Sequence, residues 1–138
     1  MRPSISFITL TVTNLEQAVA FYRDGLGWPT DGIIGTEFEH GAVAFFKLES
    51  GLTFALWHRA SLAADSGLPI NDAAPTNMLL AHNVGQKSDV DAVLNEARQA
   101  GATWIKPAAP TFYGGYAGYF MDPEQHLWEV VYNPKYDN

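Results

Sequence analysis

The first side chains in this sequence that could do chemistry are the histidines. The chain has no cysteine and four histidines, His40, His58, His82 and His126. Thiolate metal ligands, disulfides and cysteine nucleophiles are therefore excluded. Residues 78–84 are predicted to form a strand in which Leu79, Ala81 and Asn83 face a cleft. His82 points to the opposite side of that strand, which predicts a packed or hydrogen-bonded imidazole. His126 and Trp128 are predicted on the same face of their strand, so the His126 side chain points away from that of Glu129.

The second candidate is the carboxylate of Glu129, which lies in the apolar run 126–132. A carboxylate in apolar surroundings suits a general base, or a partner for a cationic ligand. The alternative is a structural carboxylate hydrogen-bonded to tyrosines or backbone. A metal site that combines His58 with Glu129 also stays open, because the sequence does not fix strand register.

The third candidate group is aromatic. Tyr113 and Tyr116 flank the pair Gly114 and Gly115, which predicts a mobile rim that stacks on a planar or cationic ligand. Phe7 and Trp57 are expected at inward strand positions. Phe112 and Tyr119 are expected near the same glycine pair. Five other aromatic residues are interpreted as core packing: Tyr22, Phe45, Phe46, Phe54 and Trp128.

The elements that position these residues are read from periodicity and capping. Apolar residues alternate over 7–12, which predicts a strand. Asn14 then caps an amphipathic helix that ends at Gly27. A hairpin follows, with strands over 41–48 and 52–57.

The same order of elements returns in the second half of the chain. Residues 78–84 are predicted as a strand, and Ser88 is expected to cap a helix that stops at Gly101. A second hairpin joins 116–121 to 126–132 through an Asp-Pro-Glu-Gln turn. The two halves match in pattern at a nearly constant offset, which indicates an internal repeat.

This repeat predicts an α+β fold in which each sheet buries one face under its helix and the other faces form a shared cleft. The predicted domain spans 1–138, with module one over 1–62, a linker over 63–76 and module two over 77–135. A helical turn is expected near 61–64 inside an otherwise irregular stretch rich in glycine, proline and asparagine.

Composition limits the classes of function. The chain has 138 residues, 47% of them hydrophobic, and a formal net charge of −7. This charge argues against nucleic acid as a partner, because phosphates would be repelled. Residues 1–12 alternate rather than forming a continuous apolar run, so neither a signal peptide nor a membrane span is predicted there. A cytoplasmic location is the resulting expectation.

Two motifs carry a resemblance to a known family. The run Asn-Leu-Glu-Gln-Ala-Val-Ala-Phe-Tyr-Arg-Asp-Gly-Leu-Gly over 14–27 and the hairpin Gly-Tyr-Phe-Met-Asp-Pro-Glu-Gln-His-Leu-Trp-Glu-Val over 118–130 resemble the vicinal oxygen chelate superfamily. This superfamily contains glyoxalases, bleomycin-resistance proteins and extradiol dioxygenases. The resemblance implies two paired βαβββ modules that form a cleft or half-barrel.

The resemblance also implies four positions where enzymatic members hold a divalent metal. On this sequence they fall on Phe7, approximately Ala55, Leu79 and Glu129. Only Glu129 can bind a metal, and a divalent ion needs three or four protein ligands. We therefore expect no metal and no other cofactor at this place.

The leading hypothesis is a metal-free protein that binds a small organic ligand, closest to the bleomycin-resistance members and, as the resemblance implies, a homodimer. The expected cleft residues are Phe7, Ala55, Trp57, Leu79, Tyr113, Tyr116 and Glu129. One alternative is a lyase, isomerase or dioxygenase with a relocated metal site or with Glu129 as general base. The other is an interaction module whose cleft is closed by its own aromatic residues.

Overall fold

The computed structural model describes residues 1–69 and 78–136. The chain divides into two compact units, Met1–Asp72 and Ala73–Asn138. Among the described residues, each unit contains one four-stranded mixed sheet, and three α-helices accompany the two sheets. The predicted α+β fold with two paired modules is confirmed. The predicted module and linker boundaries remain predictions, because the stretch 70–77 lies outside the described residues.

The first unit orders its strands β1-β4-β3-β2, with β1 parallel to β4 and the other neighbours antiparallel. Its elements are β1 (Phe7–Val12), α1 (Leu15–Ala20), β2 (Thr30–Ile34), β3 (Val43–Lys47), β4 (Thr53–His58) and α2 (Arg59–Ser66). The helix α1 continues into a π-helical turn over Phe21–Gly25. The predicted cap is confirmed, because the Asn14 side chain accepts a hydrogen bond from the Gln17 backbone N–H at 3.0 Å.

The core of the first unit lies between α1 and one face of its sheet. Tyr22 is fully buried and its ring centre lies 4.9 Å from that of Phe54 and 6.2 Å from that of Phe46. Leu10 and Val12 are buried on the same face of β1. This packing follows the alternation of the strands, since every second residue points to the helix.

The second unit repeats this arrangement with strand order β5-β8-β7-β6, in which β5 is parallel to β8. Its elements are β5 (Leu80–Asn83), α3 (Lys87–Ala100), β6 (Thr103–Pro110), β7 (Tyr116–Met121) and β8 (Leu127–Tyr132). The helix buries Val90, Leu94 and Ala97 against the sheet. The Trp104 indole N–H on β6 donates to the Leu94 carbonyl oxygen at 2.8 Å, which ties the edge strand to the helix.

Several sequence predictions need correction. The strands β2 and β6 were not predicted, and α2 extends to Ser66 beyond the single turn expected. Ser88 does not cap α3, which begins at Lys87 after an N-cap residue, Gln86, that makes no side-chain capping bond. Phe45 does not belong to the core, because it lies on the face of its sheet opposite α1 and is 40% exposed. None of the helices in the described ranges has the length and apolar character to cross a bilayer.

Candidate functional site

A row of three polar side chains crosses the second sheet on the face opposite α3. Glu129 on β8 stands directly opposite Tyr119 on β7, and Tyr119 stands opposite Lys106 on β6. Side chains alternate between the two faces of the sheet along β7 and β8. Phe120 and Val130, which follow Tyr119 and Glu129, are buried on the α3 side, so Tyr119 and Glu129 point to the opposite face. We call the surface around this row the Glu129 face.

Tyr119 is affected electrostatically by its neighbours on this face. Partial burial, the nearby Glu129 charge, a hydrogen bond to Glu129 and the neighbouring Tyr113 together raise the pKa of Tyr119 above its usual value. A tyrosine phenol is protonated at neutral pH even without this shift, so Tyr119 is a hydrogen-bond donor on this face. Glu129 therefore has a phenol side chain at the position directly opposite it on the neighbouring strand.

Lys106 reaches this face because β6 contains a bulge. Trp104 pairs with Phe120 and Lys106 pairs with Tyr119, so two steps along β6 match one step along β7. A regular strand would place Lys106 on the same side as Trp104, toward α3. The extra residue, Ile105, reverses this. The Lys106 ammonium lies 5.9 Å from the centre of the Tyr119 ring, within cation–π range.

The surroundings of the row are apolar. Leu127 and Met121 flank it on one side along the strands, and Val131 and Ala117 flank it on the other. On β5 the residue paired with Glu129 is Ala81, whose side chain is small. The Glu129 face is therefore a strip of polar side chains among mainly apolar neighbours.

The two rim tyrosines do not behave alike. Tyr113 is close enough to Tyr119 to contribute to its raised pKa. The position of Tyr116 differs from the prediction. Tyr116 points to the same face of β7 as Gly118, which contacts Leu94 of α3. Its hydroxyl hydrogen-bonds to Asp91 of α3 at 3.1 Å, and this bond raises the pKa of Tyr116. Tyr116 therefore does not join the Glu129 face.

The first sheet also has an aromatic surface opposite α1, and we call it the Phe7 face. Phe7 is 57% exposed, and its ring contacts that of Phe45 edge to face at 6.1 Å between centres. Ala55 is buried opposite Phe45. Trp57 lies on the same face, and its indole N–H donates to the His40 carbonyl oxygen at 2.9 Å. Three predicted cleft residues, Phe7, Ala55 and Trp57, thus share one face of one sheet.

The residues at the four family positions do not fit a divalent metal ion. Phe7, Ala55 and Leu79 have no donor atoms in their side chains, and Leu79 is 44% exposed before β5. Within residues 1–69 and 78–136, no three side chains of His, Cys, Asp or Glu lie together as a metal site requires. His58 ends β4 in the first unit, whereas Glu129 belongs to the second.

The other three histidines, His40, His82 and His126, have different surroundings. His40 Nδ1 lies 3.3 Å from the hydroxyl oxygen of buried Ser61. His82 is exposed rather than packed under the helix, because α3 packs mainly on β6, β7 and β8 rather than on the edge strand β5. His126 is buried, with Nδ1 2.9 Å from a carboxylate oxygen of Asp122. This last pair organises the turn between β7 and β8.

Two features were not predicted from the sequence, a pocket beside α2 and the charge of Lys106 beside Tyr119. A pocket of about 270 Å³ lies beside α2, lined by Thr11, Arg59, Leu62, Ala63, Ser66, Leu68 and Pro69. No local motif marks it, because its wall is a helix that was predicted as a single turn. Lys106 was missed because only the bulge brings it to Tyr119.

The comparison with known families agrees with this architecture. The sequence profile of the Glyoxalase/Bleomycin resistance protein/Dioxygenase superfamily matches residues 4–130. The chain belongs to this superfamily, and the resemblance noted from its two motifs is confirmed. No curated protein sequence matches the chain significantly.

Solved structures extend the comparison. A glyoxalase-related enzyme from Fulvimarina pelagi is 30% identical with a TM-score of 0.82, covering 96% of this chain and 89% of the other. A fosfomycin resistance protein from Listeria monocytogenes is 22% identical with a TM-score of 0.69, covering 98% and 97%. A lactoylglutathione lyase from Agrobacterium tumefaciens is 22% identical with a TM-score of 0.69, covering 96% and 95%. The last two show a common fold only.

Proposed function

We propose that this protein binds a small organic molecule at the Glu129 face and does so without a metal ion at the family position. The observation that carries the proposal is the row itself, in which Glu129, Tyr119 and Lys106 stand in register among mainly apolar neighbours. Binding sites for small molecules combine a large apolar area with a few oriented polar groups. Glu129 is the polar anchor, and a cation or hydrogen-bond donor is the group that it accepts.

The Phe7 face, taken by itself within the first unit, is a second apolar surface that suits a ligand. Phe7 and Phe45 remain substantially exposed although they are large and apolar. Contiguous apolar surface of this kind is typical of sites that contact a ligand or another protein. A ligand with an aromatic or aliphatic body would gain from such a surface, whereas a highly polar molecule would not.

A second candidate function is a metal-independent enzyme in which Glu129 is a general base. Tyr119 favours this alternative, because a protonated phenol next to a carboxylate supplies an acid and a base at one place. Such a pair could remove a proton next to a carbonyl group and return one to a neighbouring atom. The 30% identical structure from Fulvimarina pelagi is described as a glyoxalase-related enzyme.

The test of the binding function is a fragment screen followed by NMR on the backbone amides of β7 and β8. Ligands of this site should shift the amides around Glu129 and raise the melting temperature of the protein. Glu129→Gln should weaken amine-containing fragments about fivefold or more, whereas the control Glu96→Gln, on exposed helix surface, should not. Equal affinities for both variants and wild type would refute the role of Glu129.

The metal-free part of the proposal has its own test. Protein purified without chelator or metal-affinity tag is analysed for metal and then titrated with Ni²⁺, Zn²⁺, Mn²⁺ and Fe²⁺ while its melting temperature is recorded. We expect no stoichiometric metal and no stabilisation that depends on Glu129. Tight binding of one ion per chain, lost in Glu129→Gln, would overturn this part.

The homodimer and the cytoplasmic location are also proposals; the first rests on the family resemblance and the second on the alternating pattern of residues 1–12. The strands β2 and β6 end their sheets, and Ile34 and Ile105 on them are exposed. Apolar residues on such edges are candidates for contact with a second copy. Sedimentation equilibrium tests the dimer, and a monomer at all concentrations would contradict it.

A further inference from the structure

The Glu129 face carries two opposite charges rather than one. Glu129 and Lys106 lie on strands separated by β7, so their backbones are about 10 Å apart at the usual strand spacing. Tyr119 lies between them, paired with Glu129 on β8 and with Lys106 on β6, and the Lys106 ammonium lies 5.9 Å from the centre of its ring. The row therefore presents an acceptor, an aromatic surface and a cation in a fixed order.

The position of Lys106 depends on a register irregularity in β6. The bulge at Ile105 keeps Trp104 bonded to α3 and turns Lys106 to the opposite side. Bulges that re-aim one side chain are enriched next to functional sites. A cation placed beside a lone carboxylate in this way is a feature that recognition of a simple amine would not require.

From this row we infer that the protein binds a zwitterionic small molecule, with the ammonium group at Glu129, the anionic group at Lys106 and an apolar body over Tyr119. This inference rests on the proposed function and names the class of ligand. The anionic group can be a carboxylate or a phosphate, since a lysine ammonium binds either as a point charge. The apolar body would also contact Leu127 and Met121.

The experiment uses three matched probes with one rigid ring. They are 4-(aminomethyl)benzoate, which is zwitterionic, 4-methylbenzoate, which is only anionic, and 4-methylbenzylamine, which is only cationic. Dissociation constants are measured by NMR titration of the full chain. The variants are Lys106→Met, which keeps an apolar stem, Glu129→Gln, and Lys87→Met as a control on the exposed start of α3.

The expected result is a charge-specific pattern. Wild type binds 4-(aminomethyl)benzoate more tightly than either singly charged probe. Lys106→Met weakens the two carboxylates about fivefold, the upper range for an exposed ion pair, and leaves 4-methylbenzylamine unchanged. Glu129→Gln weakens the two amines and leaves 4-methylbenzoate unchanged. Lys87→Met changes none of the three, and the losses shrink at high salt.

The failures of this inference and of the proposed function are distinguishable. If 4-(aminomethyl)benzoate does not bind wild type, or if Lys106→Met changes all probes equally, the zwitterion inference is overturned. If only 4-methylbenzylamine binds and depends on Glu129, the proposed function stands and this inference falls. If the fragment screen also gives no shift near Glu129, both fall.

Discussion

The carboxylate of Asp122 supports the sharpest stability prediction. Its side chain is only 1% exposed and lies 2.9 Å from His126 Nδ1. It also accepts hydrogen bonds from the backbone N–H groups of Glu124 and His126, each at 2.9 Å. Asp122→Ala removes all three contacts. The imidazole and the His126 N–H would then lie buried without this partner.

The magnitude follows from the number of buried bonds. Two of the three bonds, both to His126, are buried, and an unsatisfied buried group costs about 1–3 kcal/mol. We expect Asp122→Ala to lower the free energy of unfolding by about 2–4 kcal/mol, a large part of the stability of a typical domain. Asp122→Asn keeps an acceptor oxygen for the backbone and sets an amide against His126, so it should cost about 1 kcal/mol or less.

Urea unfolding of the two variants and of Asp31→Ala measures these differences from the transition midpoints at constant slope. Asp31 is an exposed aspartate on β2, and its loss should change stability by less than about 0.5 kcal/mol. If Asp122→Ala costs no more than Asp31→Ala, the turn does not depend on this carboxylate. If Asp122→Asn is as harmful as Asp122→Ala, the charge matters more than the number of hydrogen bonds.

Three further predictions concern pH and packing. Tyr119 and Tyr116 have pKa values raised by folding, so the stability that they contribute is complete below about pH 10 and is lost as pH rises through their folded-state pKa values. Tyr119→Phe should reduce this alkaline loss in urea titrations, and an unchanged slope would contradict the assignment. Phe46→Leu should cost about 1–2 kcal/mol, since it loses volume in a fully buried aromatic cluster. Gly118→Ala should cost about 1–3 kcal/mol because its Cβ would lie 2.6 Å from Leu94 Cδ1, and the cost should fall in a Leu94→Ala background.

Regular local patterns made much of the fold predictable. Alternation predicts β1 and both hairpins. The Asn14 cap and the turn at Asp122 were also predictable, because each depends on hydrogen bonds between residues close in sequence. The strands β2 and β6 were not predictable in this way. Polar residues and a glycine begin β2, and β6 contains two prolines and irregular register, so neither shows alternation.

The parts of the candidate site whose direction depends only on strand alternation were predictable. Glu129 and the Phe7 face follow from strand periodicity, and register pairs Ala55 with Phe45 as that periodicity requires. Tyr116 was placed in the rim because glycines precede it. It lies three residues before Tyr119, so the two side chains must point to opposite faces of β7. Lys106 depends on a bulge, which has no signature in one sequence.

The bulge at Ile105 also bears on how relatives of this chain can diverge. The side chain that stands opposite Tyr119 is chosen by backbone register, since a regular β6 would present Ile105 there instead of Lys106. A one-codon insertion or deletion in this edge strand could therefore replace a cation by an apolar group while the helix-packed core kept its residues. Ligand preference can drift in such a family through changes in length, and sequence identity would hardly record it.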